Sequence, residues 1–203
     1  MSSLSAELPA YILAGGHSTR FGSDKARALL AGKPLLARIA DLAKAAGATS
    51  VHAVARERGA YDDLGVPTIG DDREGLGPVA GLEAALLHRL QHHDAGWLLL
   101  LTCDQLACEP AWVAQLRLAA GSLAAAAFHD GARFQPVPGL YHTDLLAQVV
   151  PLLDRAEYGE VRASFQGLLG GPHTAQVALP ADWPSRLQAN RPEELPPPTL
   201  RPS

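Results

Sequence analysis

Short apolar runs alternate with longer stretches of helical periodicity along this chain, and that alternation constrains the fold more than any other feature. Parallel strands need a long crossover between them, and a crossover helix covers one face of the sheet, so the pattern implies a mostly parallel sheet with helices on its faces. Strands are predicted at Leu8–Ala14, Thr49–Ala55, Val66–Ile69, Trp97–Thr102, Leu123–Phe128, within Pro136–His142 and at His173–Leu179. Helices are predicted at Pro34–Ala46, Pro78–His93, from Pro110 to Gly121, at Asp144–Leu153 and at Gly159–Leu169, several of them opened by a proline whose fixed φ suits a first helical turn. Trp97–Thr102 is apolar except for its last residue, as expected of a central strand covered on both faces. The reading is α/β: a three-layer, Rossmann-like, mostly parallel sheet with helices on both faces. One domain is expected over residues 1–191, with residues 192–203 a proline-rich, flexible tail.

Charge and composition exclude several function classes. Seventeen basic against 21 acidic residues leave a net charge of −4, without the positive excess of a dedicated nucleic-acid binder. No apolar run is long enough to span a bilayer, and Met1–Glu7 lacks the basic-then-apolar order of a secretion signal, so a cytoplasmic protein without membrane contact is expected. The spacing of Cys103 and Cys108 fits neither a zinc ribbon nor a redox pair, and both are expected to be reduced thiols.

The stretch that carries chemistry is Leu13–Lys25, which follows the first predicted strand directly, where open α/β sheets bind their ligands. Gly15 and Gly16 let backbone approach a phosphate closely, consecutive N–H groups can form an anion nest, and Arg20 and Lys25 add positive charge in the same loop. That combination suits a nucleoside triphosphate. It is not a Walker A loop, since five residues separate Gly16 from Gly22 and Ser23 stands where that motif's lysine should follow. Asp104 ends the central strand, a position from which one carboxylate and several waters can hold magnesium.

Several segments in the same order resemble the nucleotidyltransferase family that includes the molybdenum cofactor guanylyltransferases. They are Leu-Ala-Gly-Gly at 13–16 with Arg20-Phe21-Gly22 and Asp24-Lys25; Gly32-Lys33-Pro34-Leu35; Asp71 after the third strand; Gly77-Pro78-Val79-Ala80-Gly81; the Cys103-Asp104 pair; and Asn-Arg-Pro-Glu-Glu-Leu from Asn190 to Leu195. The resemblance implies transfer of GMP from GTP to molybdopterin with release of pyrophosphate. It also implies Mg2+ on Asp104, with Lys25, Arg20 and Asp104 as the catalytic groups. Leu13, Ala14, Gly15, Gly16, Lys25, Asp71, Gly77, Gly81, Asp104 and Asn190 are the residues it implies for substrate binding. Relatives making the cytosine dinucleotide have Leu-Ala-Ala-Gly in the opening loop, so Gly15 favours guanine. The chain departs from the family at Ala53, where some members have an Asn that helps hold the nucleotide, at Cys-Asp-Gln-Leu 103–106 in place of Cys-Asp-X-Pro, and at Gln188 in place of an Asn. Molybdoenzymes that receive the cofactor, or their chaperones, are the implied protein partners.

Three other readings are weighed against this one. Gly75-Leu76-Gly77-Pro78-Val79-Ala80 fits a loose dinucleotide fingerprint, but Asp71, Asp72 and Glu74 immediately upstream would repel a pyrophosphate. A nucleotidyltransferase using CTP, or another acceptor such as a sugar phosphate, remains compatible with the loop, as does a non-catalytic carrier of nucleotide or molybdopterin. His88 and His92, four apart on one helix with His93 following, are expected to be solvated helix-end residues, and Cys103 a small buried residue beside the site. His129, Asp130 and Arg133 follow a strand and are candidates to face the acceptor.

Overall fold

The computed structural model describes residues 7–15, 24–105 and 107–184. Strand β1 (Ala10–Leu13) is followed by a two-residue ladder of β2 (Leu29–Leu30) with β3 (Lys33–Pro34), then by α1 (Leu35–Ala45), β4 (Val51–Ala55), β5 (Thr68–Gly70), α2 (Pro78–His92) and β6 (Trp97–Thr102). The remainder holds α3 (Pro110–Ala120), β7 (Ala125–His129), β8 (Phe134–His142), α4 (Leu146–Glu157), α5 (Phe165–Leu169) and β9 (Thr174–Ala178).

Seven strands form one sheet in the order β5-β4-β1-β6-β8-β7-β9. β5, β4, β1 and β6 run parallel, β8 is antiparallel to both its neighbours, and β9 returns parallel to β7. Successive side chains of a strand alternate between the faces, and the core divides accordingly. Ala10 and Ile12 of β1 join Leu36 and Ile39 of α1 and Trp112 and Leu116 of α3 in one cluster. Tyr11 joins Leu82 and Leu86 of α2, Val149 and Leu153 of α4 and Phe165 of α5 in the other. Leu98 to Leu101 of β6 are fully buried, which is why that strand carries no alternation of polar residues. Two helical layers thus enclose the sheet, as the sequence pattern implies.

From β1 the chain moves outward through β4 to β5, and α2 then carries it back to β6 on the other side of β1. The reversal opens a crevice between the carboxyl ends of β1 and β6, the switch point where sheets of this type bind ligands.

Several expectations need correction. The segment before α1, read as a loop, contains the β2–β3 ladder; Pro34 belongs to it, with ψ 139°, and is the residue before the helix instead of its first turn. The Gly159–Leu169 helix reduces to α5: Gly159 takes a left-handed φ of 74° just past α4, and the Ser164 hydroxyl accepts from the Gly167 N–H at 3.2 Å to start a new helix. α4 runs to Glu157 instead of stopping at Leu153, and β8 begins at Phe134, ahead of the Pro136–His142 expected. Gly16, Arg20, Asn190 and the proline-rich tail lie outside the described residues. Among the described residues, no helix is long and apolar enough to cross a membrane.

His88 is also not a solvated helix-end residue. The second half of α2 lies over the start of β1 and β4, so His88 is half-buried, its Nδ1 is 2.8 Å from the Tyr11 hydroxyl, and its ring lies 4.8 Å from that of His52 and 4.2 Å from that of the exposed His92. Burial, with the neighbouring imidazoles and Arg58 adding to it, pushes the His88 pKa down to about 4, and burial likewise lowers His52. A folded pKa below the unfolded value of about 6.5 means that the unfolded chain takes up the proton first. The stabilisation from the neutral ring is therefore complete above about pH 6.5 and is lost as the pH falls toward about 4. Melting temperature should drop between about pH 7 and pH 5, and less steeply in His88→Gln; equal slopes in the two proteins would remove His88 from the pH dependence.

Candidate functional site

The site assembles at the carboxyl ends of the parallel strands. As β1 ends, the N–H groups of Ala14 and Gly15 both donate to the Val54 carbonyl, at 2.9 and 3.2 Å. Gly15 is thereby laid against the end of β4: a Cβ there would sit 3.1 Å from Ala55 Cα and 3.3 Å from the Arg56 N, both backbone atoms. The glycine thus lies close against the backbone of β4, an approach to a neighbouring strand that the sequence does not show. At Asp24 the carboxylate accepts from the Ala26 N–H at 3.0 Å, capping the single 3-10 turn Lys25–Arg27.

That turn presents Lys25 to Asp104. Lys25 Nζ donates to Asp104 Oδ2 at 2.8 Å across the β1/β6 crevice, with the two side chains only 12% and 15% exposed. Asp104 Oδ1 is buried and has no hydrogen-bond partner among the described residues. A carboxylate oxygen kept from water without a donor is costly unless a ligand completes it, so this atom marks the crevice as a cation- or donor-binding place. Cys103 beside it is buried, and burial, reinforced by Asp104, pushes its thiol up to about 12, which leaves it no thiolate for nucleophilic work.

Asp71 lies two strands from β1, about 10 Å along the sheet edge at the usual strand spacing. Its N–H donates to the Ala55 carbonyl at 2.8 Å, and its Oδ1 accepts from the Arg73 N–H at 3.1 Å. Burial raises the Asp71 pKa, the Arg73 N–H opposes that shift, and Asp72 adds to it. Gly77 precedes α2 with φ 77° and ψ −165°, a conformation essentially closed to other residues, and so turns the chain into Pro78 at the helix start. Gly81 faces the sheet: a Cβ there would meet Leu13 Cδ2 at 2.7 Å, so the glycine lets α2 approach the end of β1. Of the residues predicted from sequence, Leu13, Ala14, Gly15, Lys25, Asp71, Gly77 and Asp104 therefore lie at one end of the sheet, and a side-chain hydrogen bond joins Lys25 to Asp104.

The hairpin between β7 and β8 is at the same end, because β8 runs opposite to β6 and β7 opposite to β8. Asp130 there accepts from the N–H groups of Ala132 and Arg133 at 2.9 and 2.8 Å, which hold its carboxyl below the usual range. Sequence reasoning missed Arg73, whose guanidinium donates to both oxygens of the buried Glu83 on α2 at 2.8 and 3.1 Å and reaches Asp154 and Glu157 on α4 at 2.7 and 3.2 Å. It anchors the segment that carries Asp71. No local pattern marks it, since its partners come from two later helices.

The family model for the MobA-like NTP transferase domain matches residues 10–183. A probable molybdenum cofactor guanylyltransferase from Opitutus terrae is 33% identical over 195 residues, 96% of each chain. Another protein of that description, from Deinococcus radiodurans, is 39% identical over 74% of this chain and 75% of its own. Among solved structures, the molybdopterin-guanine dinucleotide biosynthesis protein A from Archaeoglobus fulgidus superposes with a TM-score of 0.63 at 21% identity, covering 84% of this chain and 83% of that one. The 2-C-methyl-D-erythritol 4-phosphate cytidylyltransferase from Thermus thermophilus does so with 0.60 at 20%, covering 93% and 95%, so the fold is shared beyond a single acceptor. A match spanning the whole sheet, from β1 to beyond β9, makes this chain a member of the MobA-like NTP transferase domain family.

Proposed function

We propose that this protein transfers GMP from GTP to molybdopterin. An oxygen of the acceptor phosphate attacks the α-phosphorus of GTP, the bond to the bridging oxygen of the β-phosphate breaks, pyrophosphate leaves, and the guanine dinucleotide form of the cofactor is the product. The observation that carries the reading is the Lys25–Asp104 pair at the switch point, with one Asp104 oxygen buried and without a hydrogen-bond partner among the described residues.

In this reading Lys25 stabilises the charge that develops around the α-phosphate, and Arg20, by resemblance to the family, adds to the clamp. Asp71 holds the nucleoside end, and Gly15 and Gly16, by resemblance to the family, let the loop backbone approach the phosphates. Asp104 would hold Mg2+: its Oδ1, without a hydrogen-bond partner among the described residues, is the hard donor such an ion takes, and water and phosphate oxygens would suit the remaining positions. The ion supplies neutralisation of the triphosphate and of the leaving pyrophosphate. Gly77, Gly81 and Asn190 complete the substrate set by family resemblance, and molybdoenzymes or their chaperones in the cytoplasm are the recipients of the product.

A thermal-shift titration with GTP, CTP, ATP and nicotinamide dinucleotides, with and without magnesium, tests this, because a ligand that binds only the folded state raises its melting temperature. Selective stabilisation by GTP with magnesium is expected, followed by pyrophosphate release when molybdopterin is added. Preference for CTP would overturn the guanine assignment, and GTP binding without transfer would leave a carrier.

A further inference from the structure

The loop from Leu13 to Lys25 has two stems, and one side chain from a distant turn reaches both. Tyr61, in the turn after β4, places its hydroxyl 3.4 Å from the Ala14 carbonyl oxygen on the first stem and 3.2 Å from Asp24 Oδ1 on the second. With a single proton the hydroxyl donates to one of these acceptors at a time, and both are within reach. The same Asp24 oxygen accepts the Ala26 N–H that starts the turn presenting Lys25.

The tyrosine is itself held from several sides. Its N–H donates to Thr68 Oγ1 at 3.0 Å, and its ring is buried in the core cluster beneath α1. The Arg27 guanidinium stands 5.4 Å from the ring centroid, where a cation is attracted to the π face. Arg27 in turn makes a two-pronged contact with Asp63, at 2.7 and 2.8 Å, and donates to the Ala60 carbonyl at 2.7 Å. Burial, with the Asp24 carboxylate adding to it, raises the pKa of the phenol, so it stays a donor at any working pH. A side chain fixed this firmly is a reference point from which the loop stems are set, and placing reacting groups before the reaction begins is worth large factors in rate.

We propose that Tyr61 is a positioning residue of the nucleotide site: its hydroxyl bridges the two stems of the Leu13–Lys25 loop and, through Asp24, holds Lys25 in register with Asp104. The kinetic part of this inference rests on the guanylyl-transfer reading; the bridge itself does not.

Tyr61→Phe keeps the buried ring and removes only the hydroxyl. Two measurements separate the possibilities. Amide hydrogen exchange at Ala26, Arg27 and Ala28 should quicken by about five- to tenfold in the free variant, with β4 and β6 unchanged, as expected for loss of one hydrogen bond in a local unit. In guanylyl transfer, kcat should fall about tenfold with the KM for GTP changed by less than about threefold and the melting temperature within a few degrees of the parent. A merely structural role would lower the melting temperature and leave kcat per folded molecule alone. Combined with Asp24→Ala, which removes the acceptor, Tyr61→Phe should cost little further, because both changes break the same contact. Unchanged exchange at the three amides overturns the bridge, and quickened exchange with unchanged kcat overturns the positioning role. If the parent protein transfers no nucleotide, the functional reading fails while exchange still decides the bridge.

Discussion

Asp104→Asn is expected to lower kcat for guanylyl transfer by about 10²- to 10³-fold while leaving the protein folded. The substitution keeps the shape of the side chain and removes its charge. In the resting protein Lys25 then loses the carboxylate 2.8 Å away, and in the proposed complex a divalent ion would lose the oxygen that is buried and without a hydrogen-bond partner among the described residues. A neutral amide oxygen is a far weaker ligand for a hard cation, so activity should need more magnesium to reach its lower plateau. Lys25→Ala should cost a comparable factor by a different route, leaving the magnesium dependence in place and removing the positive charge proposed to stabilise the transferred group. Turnover measured across magnesium concentrations, with thermal denaturation as the control for folding, distinguishes the two. An Asp104→Asn enzyme with the parent's kcat and magnesium dependence would take Asp104 out of the mechanism.

The second large effect is on stability. Arg73→Ala should destabilise the protein by about 3 kcal/mol, the lower end of the cost of breaking a buried ion pair because the arginine itself is partly exposed. For a chain of this size that corresponds to a melting temperature lower by about 6–12 °C. Glu83 is 6% exposed and receives both prongs of the guanidinium, so truncation strands a carboxylate inside the packing of α2. The charges of Asp154 and Glu157 on α4 would also lose their common partner. Replacing both members of the buried pair, as Arg73→Met with Glu83→Met, should restore most of the loss, since apolar side chains of similar volume need no partner there. Chemical denaturation of the three proteins checks this, and an Arg73→Ala variant within about 0.5 kcal/mol of the parent would show that the pair contributes no more than a surface contact.

Much of the architecture was readable before any coordinates. The predicted strands became β1, β4, β5, β6, β7 and β9; the central β1 and β6 are legible because a strand buried between helical layers is apolar over nearly its whole length, and the edge strands β5 and β9 because the alternation with helical stretches admits few other arrangements. Short-range chemistry was equally legible: the glycines at the exit of β1 and Asp104 at the end of β6 declare themselves within a few residues of sequence, whereas the cap that Asp24 makes on the turn of Lys25 came from the structure. What escaped was either too short or too dependent on neighbours. The two-residue β2–β3 ladder has no periodicity to detect, and the helix read from Gly159 was interrupted because a left-handed glycine and a serine cap sit within one apolar pattern.

The tertiary structure alone decided which distant residues meet. Lys25 and Asp104 are 79 positions apart, and Tyr61 is 47 from Ala14 and 37 from Asp24. Periodicity fixes which face of a strand is buried but carries no information about which strand lies beside it. That order follows from packing all the helices at once, with α1 and α2 on opposite faces so that β1 and β6 become neighbours. The same packing placed His88 over Tyr11 and Arg73 between two helices, giving one residue read as a solvated helix end and one that sequence reasoning missed half-buried positions with defined partners.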